Sequence, residues 1–432
     1  MSEAFVIEGG VPLQGEVTPA GNKNAALPLL AATLLTDEPV VLHNVPDIRD
    51  VHTMRALLES LGAEITTLAP DTWQVRARNV RPAALDADLC RSIRASILLA
   101  GPMTARAGGL RLPPPGGDVI GRRRVDTHIF ALRALGAEAE YDKPARRFVF
   151  QTHGRLRGAD ILLDEASVTA TENAVMAAVL AQGETVLRNA ASEPHVQELC
   201  RLLNAMGAQI EGIGSNTLHI QGVERLHGAE FTIGPDYLEV VSFIGAAAVT
   251  GGQIRIRQAA PQYLHMIRLV FNRLGVDWQT EGDDIIVPAD QSLEIRPDLG
   301  NAIPQITVMP WPGFPTDLMS IAIVVATQAR GNALFHDWMY PSRMFFTDKL
   351  VSMGAQIVLC DPHRVIVNGP SRLVGENLES PDIRAGMALL LAALAARGRS
   401  TIYNIGQIDR GYAHVDAKLQ ALGAHIVRKS EV

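Results

Sequence analysis

Apolar and polar positions along this chain alternate between two periods. Residues 24–35 read as a helix apolar on nearly every side, and Thr36-Asp37-Glu38-Pro39 turns the chain. The short run Val40-Val41-Leu42 then reads as a strand, and residues 50–61 as a second helix, one whose apolar residues mark a single face. The same order returns from Thr171 through Val186-Leu187 to Ile210, and from Asp382 through Thr401-Ile402-Tyr403 to Ile426. Each amphipathic helix ends in one phrase: Leu61-Gly62-Ala63, Leu135-Gly136-Ala137, Met206-Gly207-Ala208, Leu274-Gly275-Val276, Met353-Gly354-Ala355 and Leu422-Gly423-Ala424. Glycine at that place is a helix stop, because the left-handed conformation costs it nothing. The glycines recur about every 70 residues, which marks six copies of one α/β unit.

Six such units exceed a single core, since cores stop growing near ~250–300 residues. The expected division is two domains of three units each. Residues 23–234 form one, and residues 1–22 with 235–432 form the other, completed by the N-terminal strands at Phe5-Val6-Ile7 and Gly15-Glu16-Val17.

Composition narrows the class. With 47% hydrophobic and 20% charged residues, the chain matches an ordinary soluble α/β protein. Its longest apolar runs, 25–35 and 386–396, are shorter than the ~18–20 residues a membrane span needs. No basic-then-apolar leader precedes the first strand, so a cytoplasmic protein is expected. Cys90, Cys200 and Cys360 stand far apart without CxxC spacing, which argues against a disulfide framework or a zinc site. A net charge of −7 argues against general nucleic-acid binding.

On that acidic background the cations at repeat landmarks carry weight. Lys23 precedes the first unit's helix, Arg91 and Arg94 are expected to open the equivalent helix of the second, and Arg384 that of the sixth. Arg343 and Arg410 fall in later strand-to-helix connections. Helix N-termini favour anions, so these positions together suggest an anion site. Taken singly, each arginine reads more readily as a solvated surface cation. The segment Leu112-Pro113-Pro114-Pro115-Gly116-Gly117-Asp118-Val119-Ile120-Gly121-Arg122-Arg123-Arg124 has a stiff approach, a free tip and three arginines. It reads as a mobile lid over residues 112–124, bringing Asp118 and cations to a negatively charged substrate. The alternative is a plain connector followed by a solvated face.

Several ordered motifs resemble those of the enolpyruvyl transferases. They are Lys23-Asn24, Arg94-Ala95-Ser96, Pro115-Gly116-Gly117-Asp118-Val119-Ile120-Gly121, Val125-Asp126-Thr127-His128, Phe314-Pro315-Thr316-Asp317 and Asp409-Arg410-Gly411-Tyr412. The resemblance spans essentially the whole chain and is nearest the branch acting on UDP-N-acetylglucosamine. It implies the fold of EPSP synthase: two inside-out, barrel-like α/β domains of three pseudo-repeats each. It also implies transfer of the enolpyruvyl group of phosphoenolpyruvate to the 3-hydroxyl of UDP-N-acetylglucosamine, with release of phosphate, at the first committed step of peptidoglycan synthesis. No metal or organic cofactor is expected.

Carried over by motif, Lys23, Arg123 and Arg410 would bind phosphoenolpyruvate, with Arg94 supporting its phosphate. Asn24 would contact the acceptor sugar. Arg123, Arg124, Val125, Asp126 and Thr127, with Ser167 and Val168, would hold the uridine diphosphate. Asp317 would accept or orient the acceptor hydroxyl proton, with Arg343 and Arg384 beside the substrates. Asp118 and Asp317, with Lys23 and Arg410, make up the expected catalytic set. Asp317 also reads as a plain helix N-cap, as Asp236 and Asp382 do in their own units, and His128 as a packed core residue.

The chain departs from the family at several places. Asp118 stands where a cysteine is usual, the group that the epoxide antibiotic fosfomycin alkylates, so resistance is expected. Glu165 replaces a frequent lysine, Thr169 a glycine, Arg124 a proline and Trp311 a frequent histidine. An anion gained beside a diphosphate weakens binding unless Arg124 compensates. These changes keep open enolpyruvyl transfer to a uridine nucleotide such as UMP, in nucleoside antibiotic synthesis, and a non-catalytic binding paralogue. Shikimate 3-phosphate is disfavoured as acceptor, because the loop does not match.

Overall fold

A computed structural model describes residues 3–82, 85–118, 120–121 and 123–430. Two compact units emerge. One holds the described residues through Ala20, Ile120 and Gly121, and everything from Pro235 onward; the other holds Gly21–Asp118 and Arg123–Gly234.

Each unit is built around three helices buried nearly all round. In the second unit these are Lys23–Ala32, Ala100–Ala107 and Val168–Ala178. In the first they are Tyr237–Thr250, Met319–Gln328 and Ile383–Ala395. Their sequences are rich in alanine and aliphatic residues and nearly free of charge, so no face demands water. Close approach requires small residues at the crossings. A Cβ on Gly245 would lie 2.9 Å from Ile321 and 3.0 Å from Leu391, which places the three inner helices of the first unit in mutual contact. In the second unit a Cβ on Gly101 would strike the Asn173 carbonyl, while Asn173 Oδ1 accepts from Gly101 N at 2.7 Å.

Small sheets lie outside these helices: among the described residues, five of four strands and one of three. The first repeat shows the pattern. Glu230–Thr232 runs parallel to Val40–His43, Val40–His43 pairs antiparallel with Thr72–Arg76, and Thr72–Arg76 with Glu64–Ala69. The strand from the end of the second unit thus returns to the first repeat's sheet. The N-terminal strands behave likewise. Glu3–Glu8 lies between Arg399–Tyr403 and His425–Ser430, and Gln14–Val17 runs parallel to Gln253–Ile256.

The repeated phrase is the helix stop its composition predicts. Gly62, Gly136, Gly207, Gly275, Gly354 and Gly423 all have φ between +77° and +102°. At the first copy, Gly62 N donates to Glu59 O at 3.0 Å and Ala63 N to Leu58 O at 3.1 Å, closing the helix carbonyls before the chain turns into its strand. The small residue after each glycine is buried, so phrase and core form together.

Candidate active site

In the second unit the helix Lys23–Ala32 begins on an Asn22 cap whose side chain accepts from Asn24 N at 2.8 Å. This turns Lys23 inward, where its Nζ sits 2.7 Å from Asp50 Oδ2 with both groups almost wholly buried. Asp50 comes from the first turn of the helix Arg49–Ser60. Sequence reasoning passed over it, since an acid in a first turn is ordinary helix chemistry. A buried ammonium needs such a partner, and that demand was the available signal.

Arg91 does not open a helix as expected. It lies in the last turn of the short helix Ala87–Ser92, and Arg94 begins the 3-10 turn Arg94–Leu99 that leads into Ala100–Ala107. The reason is Ile93, which is extended and breaks the segment in two. The break gives the glycine-rich loop its footing: Gly116 N donates to Cys90 O and Gly117 N to Arg91 O. No side chain fits at Gly116, where a Cβ would lie 1.7 Å from Arg91 O. Arg94 Nη2 donates to Arg124 O at 2.8 Å and Arg123 O at 3.3 Å, tying the returning limb to the same turn.

Beyond that limb, Arg124 is surrounded by acids. Its guanidinium lies 2.7 Å from Asp164, 3.5 Å from Asp126 and 3.8 Å from Glu165. Thr127 Oγ1 donates to Asp164 Oδ1 at 2.7 Å and is 3.4 Å from Glu165 Oε1. The Asp164 carboxyl is held below the usual range, with the Thr127 hydrogen bond the largest cause. Arg124 is therefore committed chiefly to Asp164, and its charge offsets Glu165 only weakly. Val125 is buried at the start of the helix Asp126–Ala134. Ser167 caps the helix that begins at Val168, accepting from Ala170 N at 3.4 Å. His128 is a packed residue, as its apolar surroundings indicate. It is buried between Thr169 Oγ1 at 3.1 Å and Asn173 Nδ2 at 2.9 Å, and burial, aided by the Arg94 charge, lowers its pKa to about 3.

The first unit carries the other charged cluster. Asp317 is not the N-cap of its helix: Pro315 occupies that place without a side-chain bond, whereas Asp236 and Asp382 do cap theirs. Instead Asp317 Oδ1 lies 2.9 Å from Arg343 Nη2 and Oδ2 3.3 Å from Arg384 Nε. The two guanidiniums are only 2% and 4% exposed, whereas the carboxylate is 30% exposed. Burial works against the Arg343 charge, but Asp317, Asp382 and Asp337 outweigh it and raise its pKa. Arg384 donates through Nη1 to Tyr412 Oη at 3.2 Å and lies over that ring at 5.5 Å. Tyr412 belongs to the Asp409-Arg410-Gly411-Tyr412 motif, so the motif is wired to Asp317 through Arg384. Arg410 itself is half-buried at the end of the 3-10 turn Ile405–Arg410, donating to Gln407 Oε1 at 2.9 Å. Trp311 lies with its ring 5.9 Å from that of Tyr237.

Ile120 and Gly121 rest in this unit too. Ser342 N donates to Ile120 O at 3.3 Å, and a Cβ on Gly121 would lie 2.6 Å from the Pro341 ring. The tip of the expected lid thus sits beside the residue preceding Arg343. Its neighbours Val119 and Arg122 lie outside the described residues. Asp118 is half-buried. Among the described residues no group of three or more His, Cys, Asp or Glu is placed to hold a metal ion, and no helix is long and apolar enough to cross a membrane.

Each unit carries cations paired with carboxylates, and in the first unit one carboxylate, Asp317, is held between two arginines. The sequence profile of EPSP synthase (3-phosphoshikimate 1-carboxyvinyltransferase) matches residues 7–419. This chain belongs to the enolpyruvyl transferase family. It is 56% identical over 427 residues to the UDP-N-acetylglucosamine 1-carboxyvinyltransferase of Bradyrhizobium diazoefficiens, covering 99% of this chain and 98% of the relative. It is 52% identical over 427 residues to the enzyme of that name from Treponema denticola, covering 99% of each. Among solved structures, the enolpyruvyl transferase NikO from Streptomyces tendae superposes with a TM-score of 0.88 at 25% identity over 100% of both chains. An EPSP synthase from Acinetobacter baumannii shares the fold at 16% identity, with a TM-score of 0.76 over 100% of both chains. The chain is an enolpyruvyl transferase with the EPSP synthase fold, and the non-catalytic alternative falls away.

Proposed function

We propose that this enolpyruvyl transferase uses phosphoenolpyruvate and UDP-N-acetylglucosamine, moving the enolpyruvyl group to the sugar 3-hydroxyl and releasing phosphate. The observation that carries this acceptor is full-length identity above one half to relatives bearing that activity in their names. The product feeds peptidoglycan synthesis, which places the enzyme in the cytoplasm with its phosphorylated substrates and ties it to cell-wall growth, cell shape and division. The working domains correspond to the expected residues 1–22 with 235–432 and 23–234, with 112–124 as the lid, although the compact units divide at Ala20 and Gly21 and take Ile120 and Gly121 into the first.

In this reading Lys23, Arg123 and Arg410 hold phosphoenolpyruvate, and Arg94 supports its phosphate. Lys23 reaches its position already paired with Asp50, so an arriving dianion meets an oriented ammonium. Asp118 delivers a proton to C3 of the enol as the acceptor oxygen bonds to C2. Asp317 takes the hydroxyl proton, its carboxylate lying against Arg343 and Arg384. Elimination then breaks the C2–O bond to phosphate, a C3 proton returns to Asp118, and the proton taken by Asp317 ends on the departing phosphate. Asn24 meets the sugar, and Arg123, Arg124, Val125, Asp126, Thr127, Ser167 and Val168 meet the nucleotide.

A second reading, transfer to UMP, is favoured by one observation: Glu165 sits 3.8 Å from Arg124 in the segment assigned to the diphosphate. Phosphate release from phosphoenolpyruvate separates the two. Release with UDP-N-acetylglucosamine, and none with UMP or shikimate 3-phosphate, is the expected result. Release with UMP alone overturns the acceptor assignment.

A further inference from the structure

The strand His425–Ser430 carries Arg428, which no motif of the family reading includes. Its guanidinium donates to both oxygens of Asp409 at 2.8 Å each and, through Nε, to Asp416 at 3.0 Å. Glu3 lies 3.2 Å away, and the Phe5 ring centroid is 4.9 Å from the guanidinium carbon. Phe5 and Arg428 are register partners in adjacent strands, so the guanidinium stands on a rigid sheet rather than a loop. Asp409 is bonded directly to Arg410, and the two end the 3-10 turn Ile405–Arg410.

Within that turn Ile405 and Ile408 are buried, and Asn404 at its start donates through Nδ2 to Ser380 O at 2.9 Å. A bidentate fork fixes direction as well as distance, which a single point charge does not. The fork engages the residue whose peptide carries Arg410. Asp416, in the first turn of the helix Val415–Ala421, is held by the same guanidinium, so the chain on both sides of Gly411-Tyr412 is anchored to one side chain.

We propose that Arg428 is a positioning residue for the transfer reaction: it orients the turn that presents Arg410 to phosphoenolpyruvate. This rests on the reading of Arg410 as a ligand of that substrate. The assigned nucleotide ligands, residues 123–127 with Ser167 and Val168, belong to the other unit, so the effect falls mainly on phosphoenolpyruvate. A displacement on the order of 1 Å at a substrate-binding group costs up to ~100-fold, and about tenfold is expected in KM for phosphoenolpyruvate.

The test is steady-state phosphate release by the full-length enzyme with each substrate varied in turn. Arg428→Ala and Asp409→Asn each raise KM for phosphoenolpyruvate about tenfold and change KM for the acceptor by less than about twofold. Glu3→Gln changes neither. In an Arg410→Ala background, Arg428→Ala adds less than about twofold, because a residue acting through Arg410 has nothing left to orient. Losses that multiply across that pair, or an unchanged KM for phosphoenolpyruvate in folded Arg428→Ala, overturn the proposal. If Arg428→Ala fails to fold, Arg428→Lys keeps the charge without the fork; it shows the same selective rise at smaller size, and an equal rise for both substrates overturns the proposal. Arg410→Ala alone separates the two claims: if it leaves KM for phosphoenolpyruvate unchanged, the underlying reading of Arg410 has failed.

Discussion

Arg343 and Asp317 meet at 2.9 Å, a guanidinium almost without solvent against a carboxylate that keeps nearly a third of its surface open. The asymmetry has chemical content. The cation is locked in the protein, and its partner is left reachable. Arg384 approaches the other oxygen of Asp317 at 3.3 Å, so the carboxylate faces two fixed positive charges.

Asp317→Asn removes the proton acceptor and leaves both guanidiniums without their shared anion. Phosphate release is expected to fall by about 10²- to 10⁴-fold, the range for loss of a positioned base. Thermal unfolding measured alongside should show a lower midpoint, because two buried guanidiniums lose the carboxylate nearest to both. Wild-type turnover in the variant would remove Asp317 from the chemistry.

Asp118 predicts resistance to fosfomycin. A carboxylate is a poor nucleophile toward the epoxide compared with a thiolate. Intact-mass analysis after incubation should show no adduct on the native enzyme, whereas Asp118→Cys should gain time-dependent inactivation and the mass of one inhibitor. An adduct on native Asp118 would contradict this.

Glu172 is buried in the helix Val168–Ala178, and burial, reinforced by Glu193, pushes its pKa well above the usual range. A raised folded pKa means the acid stabilises the fold fully below its unfolded pKa and loses that stability as pH rises toward the folded one. His128, lowered to about 3, acts oppositely: between about pH 6.5 and 3 the unfolded chain takes up a proton that the fold refuses, and stability falls as pH drops. Glu172→Gln should therefore raise the unfolding midpoint more at pH 8 than at pH 5. His128→Gln should flatten the acid side of the profile, by up to ~1.4 kcal/mol per pH unit. Melting curves across pH 4–8 test both signs.

Arg124 and Glu165 predict an acceptor effect. Glu165→Lys removes an anion from the segment assigned to the diphosphate while Arg124 stays on Asp164 at 2.7 Å. KM for UDP-N-acetylglucosamine should fall about threefold at low salt, and the gain should shrink as screening shortens the Debye length. KM for phosphoenolpyruvate should not move. An unchanged acceptor KM would place Glu165 away from the nucleotide.

The sixfold Leu-Gly-Ala phrase made the repeat legible because a helix stop is a local event: one left-handed glycine, one small buried neighbour and a strand to follow. The inner helices were legible for the same kind of reason, since a run such as 25–35 has no polar face to show water. The cations at repeat landmarks could likewise be named from sequence. Their partners could not. Asp50 reaches Lys23 from the next helix, and Arg384 reaches Asp317 across 67 positions of chain. Arg91 was misplaced because one extended residue, Ile93, divides what periodicity reads as one helix. Sequence determines which side chains carry charge and where each element starts and stops, because those depend on neighbours a few residues apart. Which carboxylate answers which cation, and whether the pair is buried, follows from how separate elements pack, since ion pairing acts across space and leaves no spacing in the chain.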